Sequence, residues 1–204
     1  MENNVSRRDR DHERHQREIL EAAKAVFVEH GFEGATMQEI ATKAEFSLAS
    51  VYKYFEGKEQ LFQALLAEHV KHYLLEVDNA VANVQSPLER IKTSIRVSIG
   101  YMEKERDLTH LFLRDLRGLW SPDDAAQAAN AAYRAVFAYY EGLFKQAQDA
   151  HELCDVDTFD ATLCLIGTLH IRLLYSLFVD PEKPIDVEMM LRVVLGPIAA
   201  PAGT

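Results

Sequence analysis

Apolar residues open the chain's first regular pattern at Ile19, Leu20, Ala22, Ala23, Val26 and Phe27. Their i, i+1, i+3, i+4, i+7, i+8 spacing makes one stripe of an α-helix from about Arg14 to His30, which Gly31 should end. After a linker, Thr36-Met37-Gln38-Glu39 reads as a T-x-x-E capping box. In such a box the hydroxyl takes one orphan N–H and the carboxylate another. A short second helix then starts at Met37 and runs to about Ala44, burying Ile40 and Ala41. Glu45-Phe46 makes a turn, and Ser47 is suited to N-cap a third helix through Phe55.

Two short helices joined by so tight a turn, the second polar and aromatic on its outer face, form the helix-turn-helix pattern. Glu56-Gly57-Lys58 ends it. A fourth helix is marked by Leu61, Phe62, Leu65, Leu66, Val70, Tyr73, Leu74 and Val77 and continues to about Val84. Ser86-Pro87 is a natural N-cap and first-turn pair. Helical patterns follow over 88–104, 108–118, 122–150, 156–179 and 186–195. The expectation is an all-α fold of about nine helices: a three-helix helix-turn-helix domain over 14–66 and a second helical domain over 67–204. No strand pattern or glycine-rich nucleotide loop interrupts it.

Composition changes this picture in two ways. With 48% hydrophobic and 26% charged residues among 204, the chain has the make-up of a globular protein, not a disordered one. The net charge of −10 gives nucleic acid no overall attraction, and neither the first 66 residues nor the remainder is net basic. Local basic groups remain: Lys53, Lys58 and an N-terminal arm of Arg7, Arg8, Arg10, Arg14 and Arg17, interleaved with Asp9, Asp11 and Glu13. That arm reads either as a solvated tail or as a segment reaching a minor groove. Its polarity argues against a secretory signal. Cys154 and Cys164 make neither a disulfide framework nor a zinc spacing, which fits a reducing cytoplasm. The most apolar stretch, 161–179, is interrupted by His170 and Arg172, so no membrane span is expected.

Residues 17–66 resemble the N-terminal domain of the TetR family of regulators. The resemblance lies in Ile19-Leu20-x-Ala22-Ala23, Val26-Phe27, Gly31-Phe32, Thr36-x-x-x-Ile40-Ala41 and Val51-Tyr52-x-Tyr54-Phe55-x-x-Lys58-x-x-Leu61. Carried over by position, it implies that Gln38, Leu48, Ala49 and Tyr52 sit near base edges. Thr36, Ser50, Lys53, Tyr54 and Lys58 would contact phosphates, and Ser47 joins this DNA-facing set as the cap of the recognition helix. The chemistry suits those roles. Leu48 and Ala49 can touch thymine methyls, Gln38 can read adenine, and Lys58 opens the fourth helix, where free N–H groups also attract anions. Two positions differ from the family's usual pattern: Glu45 stands where Gly is usual, and Leu48 where a polar residue is common.

The resemblance implies that the domain over 67–204 binds an effector and dimerises, and its residues offer candidates for both. Tyr101, Phe112, Trp120, Tyr133, Phe137 and Tyr140 spread over three successive helices, as core or as the wall of an apolar effector pocket. His170 and Arg172 interrupt an apolar helix and could meet a protein acid or a ligand carboxylate. Phe159, Leu163, Ile166, Ile171, Leu174 and Phe178, with Met190, Val194 and Leu195, offer more apolar surface than one intramolecular face buries. Gly167 permits close helix approach, so a homodimer through the last two helices is expected. His69, His72 and Glu76 have helical spacing for a metal, but packing beside Val70 and Tyr73 is the better account. No metal, cofactor or enzymatic activity is expected, since no nucleophile, carboxylate-pair or metal constellation stands out. The expected function is a cytoplasmic repressor that leaves a palindromic double-stranded DNA operator when a small apolar or amphipathic effector binds. The alternative is a helical protein-binding adaptor that has lost specific DNA binding.

Overall fold

The computed structural model describes residues 7–114, 127–180 and 182–200. Trp120, one of the expected pocket residues, lies outside them. Nine α-helices occur among the described residues. They are α1 (Arg7–Gly34), α2 (Met37–Lys43), α3 (Leu48–Val51), α4 (Lys58–Val81), α5 (Pro87–Lys104), α6 (Arg106–Arg114), α7 (Gln127–Asp149), α8 (Thr158–Phe178) and α9 (Val187–Leu195). The only extended pairing among them is an isolated antiparallel bridge between Leu153 and Ala199.

The chain forms two compact units. One comprises Met1–His69 with Asp107–Asn130, the other Val70–Arg106 with Ala131–Thr204. The first therefore takes in α6, which the sequence reading assigns to the second domain. Aromatic packing accounts for this: Phe112 meets Phe62 edge-on at 5.3 Å and His69 at 5.3 Å, and Leu108, Leu111 and Phe112 are all buried.

In the first unit the apolar stripe of α1 (Ile19, Ala22, Ala23, Val26, Phe27) is buried with Ile40, Ala41, Val51, Phe55 and Leu61. Gly31 leaves helical geometry (φ 71, ψ 172), as its position at the end of the stripe implies, and one further helical turn follows. The second unit has its own core, in which Tyr73, Val77, Ile91, Ile95, Tyr140, Phe144, Leu165, Leu169 and Leu191 pack together. Three of its buried hydroxyls lie together: Tyr73 Oη, Ser98 Oγ and Tyr140 Oη form a triangle with sides of 2.8, 2.6 and 2.8 Å. Burial holds the Tyr140 phenol well above its ordinary pKa of 10.0. Ser86 caps α5 and Pro87 opens it, as expected, and the Glu152 carboxylate adds a cap in trans by accepting from Ser86 Oγ and Leu88 N.

Candidate nucleic-acid interface

The two short helices are built by their caps. Thr36 Oγ1 accepts from Glu39 N at 3.2 Å while the Glu39 carboxylate accepts from Thr36 N at 2.9 Å, completing the capping box. The Thr36 hydroxyl also donates to the Glu39 carboxylate at 2.8 Å. These bonds lower the carboxyl pKa of Glu39. Ser47 Oγ accepts from Ser50 N at 3.1 Å to start α3. Only Leu48–Val51 is regular α-helix. The chain continues to Phe55 in tighter turns, with Lys53 N donating to Ser50 O and Tyr54 N to Val51 O.

The turn between α2 and α3 is a Schellman motif. Phe46 N donates to Ala41 O at 3.0 Å and Glu45 N to Thr42 O at 3.2 Å, which places Glu45 in the left-handed region at φ 60. That conformation brings Cβ against the following carbonyl and is the one glycine adopts freely. Glu45→Gly should therefore raise stability by about 1 kcal/mol, read as a higher urea midpoint at unchanged m. An unchanged or lower midpoint would mean the turn stores no strain.

The expected DNA-facing residues divide by what they already hold. Gln38, Ala49 and Lys53 are exposed, and Tyr52 keeps 50% of its surface free. Leu48 and Ser50 are half-buried, and the Ser50 hydroxyl pairs with Ser47 Oγ at 2.7 Å. The Tyr54 hydroxyl pairs with His15 Nδ1 at 2.9 Å. Lys58 differs most from its expected phosphate role. Its Nζ donates to the carbonyls of Phe32 (3.0 Å), Glu33 (3.3 Å) and Ala35 (3.4 Å) and lies 4.7 Å from the Phe32 ring centroid. Carbonyls at the end of α1 lack intrahelical donors, and a cation there satisfies several together. The arginine-bearing segment is not an extended arm from Arg7 onward, because α1 already begins at that residue. Arg14 is held within the helix by Asp11 at 3.5 Å and Glu18 at 3.8 Å.

The expected pocket residues of the second unit do not converge on one point. Tyr101 and Tyr140 are core residues, and burial with the neighbouring Glu105 and Glu76 charges pushes the Tyr101 pKa up to about 12. Tyr133 pairs with His170 at 6.1 Å and Phe137 with Phe159 at 4.9 Å, while Phe112 belongs to the other unit. Arg172 donates to Pro184 O at 2.8 Å and lies over the Tyr175 ring. Burial lowers the pKa of His170 below its ordinary 6.5. The stability contributed by its neutral ring is therefore present above pH 6.5 and is lost as pH falls through the lowered value. The wild-type urea midpoint should drop between pH 7 and pH 5 by more than that of His170→Leu; equal drops would contradict this.

On α8, Phe159, Leu163, Gly167, Ile171, Tyr175 and Phe178 recur every three or four residues and are exposed. This helix is also long and apolar enough to cross a membrane by length and composition. On α9 the expected interface residues Met190 and Leu195 are buried in the chain's own core, and Val194 is half-buried. The exposed apolar residues there are Met189 and Val193. The apolar pattern of α9 was legible, but which of two adjacent apolar positions turns inward is fixed only by packing against α5 and α8.

Residues 19–65 match the family model described as bacterial regulatory proteins, tetR family. The chain is similar to the HTH-type transcriptional activator FasR of Mycolicibacterium smegmatis, 30% identical over 135 residues, which are 65% of this chain and 60% of that one. It is 43% identical over 51 residues to the HTH-type transcriptional repressor AcnR of Corynebacterium diphtheriae, 25% of this chain and 27% of that one. The first curated relatives match over about half of their own length. Among solved structures, the transcriptional regulator FadR from Bacillus subtilis, in complex with stearoyl-CoA, superposes with a TM-score of 0.77. That superposition covers 88% of this chain and 95% of that one at 19% identity, a likeness of fold.

Proposed function

We propose that the chain is a member of the TetR family of bacterial regulatory proteins and acts as a homodimeric, ligand-responsive transcriptional repressor. The observation that carries the DNA-binding reading is the α2–turn–α3 unit, in which two caps and a Schellman turn hold a short helix with exposed Ala49, Tyr52 and Lys53 beside exposed Gln38. Such a helix enters the major groove with its first residues at base edges, where Ala49 meets a thymine methyl and Gln38 an adenine. Lys53 supplies a phosphate contact. The chain's acidity leaves little nonspecific attraction, so binding depends on these contacts, and with Lys53 as the cation at a phosphate its salt dependence is shallow.

Release follows if an effector in the second unit favours a conformation that changes the distance between the two recognition helices. Acyl-CoA thioesters are the effector class to test first, since FadR from Bacillus subtilis is seen with stearoyl-CoA. The test uses the full chain and fragments selected from random DNA, with Ala49→Glu as the variant expected to lose binding. The complex is then challenged with thioesters of several lengths. Failure to select any fragment would overturn the DNA-binding reading and return the adaptor alternative. A complex that no thioester weakens would overturn the acyl-CoA arm alone.

A further inference from the structure

The first turns of α1 carry a cluster outside the helix-turn-helix itself. The His12 ring lies 4.8 Å from the Tyr54 ring, His15 meets Phe46 edge-on at 5.2 Å, and His15 Nδ1 is 2.9 Å from Tyr54 Oη. Phe46 sits in the turn before α3 and Tyr54 three residues past its end, so one turn of α1 touches both ends of the recognition helix. Exposed His12 and half-buried His15 are spaced i, i+3 and share with buried Ile19 the side of α1 that meets Phe46 and Tyr54. Arg7, Arg10, Arg14 and Arg17 share the opposite side.

The direction of the hydrogen bond follows from its donors. Arg14 Nη2 lies 3.3 Å from His15 Nε2, and a guanidinium can only donate, so Nε2 accepts and the ring proton is on Nδ1. Nδ1 then donates to Tyr54 Oη. A ring carrying both protons also donates from Nδ1, so the direction holds in either charge state. The Tyr54 oxygen is occupied as an acceptor, and its own O–H is turned elsewhere.

We propose that His15, supported by His12, is a positioning residue of the DNA interface. It fixes the end of the recognition helix through Tyr54 and orients the Tyr54 hydroxyl as a donor to a DNA phosphate. This rests on the DNA-binding reading above. The α1 extension thus serves as a brace for α3, in place of a loose basic arm.

The full-length protein and its selected DNA fragment provide the test. His15→Phe keeps a ring against Phe46 but removes the donor. It should weaken binding about fivefold, with the salt dependence unchanged because no phosphate-neutralising cation is lost. Tyr54→Phe should weaken it equally, and the double variant no further. His15→Asn, whose side-chain N–H can take the place of Nδ1–H, should bind like wild type. Wild-type affinity in His15→Phe, additive losses in the double variant, or an Asn variant as weak as the Phe variant would each overturn the proposal while the protein still binds DNA. A wild-type protein that binds no fragment would instead bring down the DNA-binding reading. Circular dichroism melts separate a fold defect from an interface defect: the proposal requires the fivefold loss in variants that remain folded at the assay temperature.

Discussion

Ile171→Asp combined with Val193→Asp is expected to leave a folded monomer at micromolar concentration and to lower operator affinity by a hundredfold or more. The two side chains are 69% and 61% exposed in the single chain, so replacing them should change its folding stability by no more than about 0.5 kcal/mol. What they remove is the centre of an apolar surface. On α8 it runs from Phe159 through Leu163, Gly167, Ile171 and Tyr175 to Phe178, and on α9 it comprises Met189 and Val193. Monomeric proteins seldom expose contiguous apolar patches beyond a few hundred Å². In the proposed homodimer two identical helix pairs laid face to face would cover this one, with open space where a Cβ at Gly167 would stand. Four buried carboxylates at that interface would have no partners. Affinity falls because the second half-site is then no longer bound intramolecularly, a loss of about 10² to 10⁴. Sedimentation and DNA titration on the same samples read both effects. A variant that remains dimeric would contradict the assignment of the face.

Tyr140→Ala is expected to cost about 4 kcal/mol of stability and Tyr140→Phe about 1 kcal/mol. Tyr140 is 1% exposed and sits where α4, α5 and α7 meet, through Tyr73, Ser98 and its own hydroxyl. Deleting the ring opens a cavity that the surrounding Phe144, Leu165 and Ile95 can only partly close. Deleting only the hydroxyl leaves Tyr73 and Ser98 bonded to each other at 2.8 Å, so no buried polar group is stranded. Urea unfolding of the two variants separates the contributions. Equal losses would mean that the hydroxyl triangle, and not the ring's volume, carries the stability of the site.

The local rules of helix construction were legible in the amino-acid sequence. The T-x-x-E box, Ser47, Ser86-Pro87 and Gly31 each act where their chemistry puts them, because a cap is decided by three or four neighbouring residues. The positive φ at Glu45 was likewise readable, as a departure from glycine at a tight turn. What was not legible depends on partners distant in sequence. Lys58 opens α4 and invites an anion, yet the end of α1 and the residue after it, some 25 residues earlier, bring three carbonyls to its ammonium. Met190 and Leu195 are as apolar as their neighbours, and only the tertiary packing turns them inward and leaves Met189 and Val193 outside. The division of the aromatic set among a core triangle, two ring pairs and the other unit likewise depends on which helices meet.

The most direct measurement is a hydroxyl-radical footprint of the full-length protein on its selected DNA fragment. A two-fold dimer reading successive major grooves should protect two symmetry-related half-sites whose centres lie about 34–36 Å apart, or a whole multiple of that spacing. Protection of a single half-site, or of an asymmetric tract, would contradict the account.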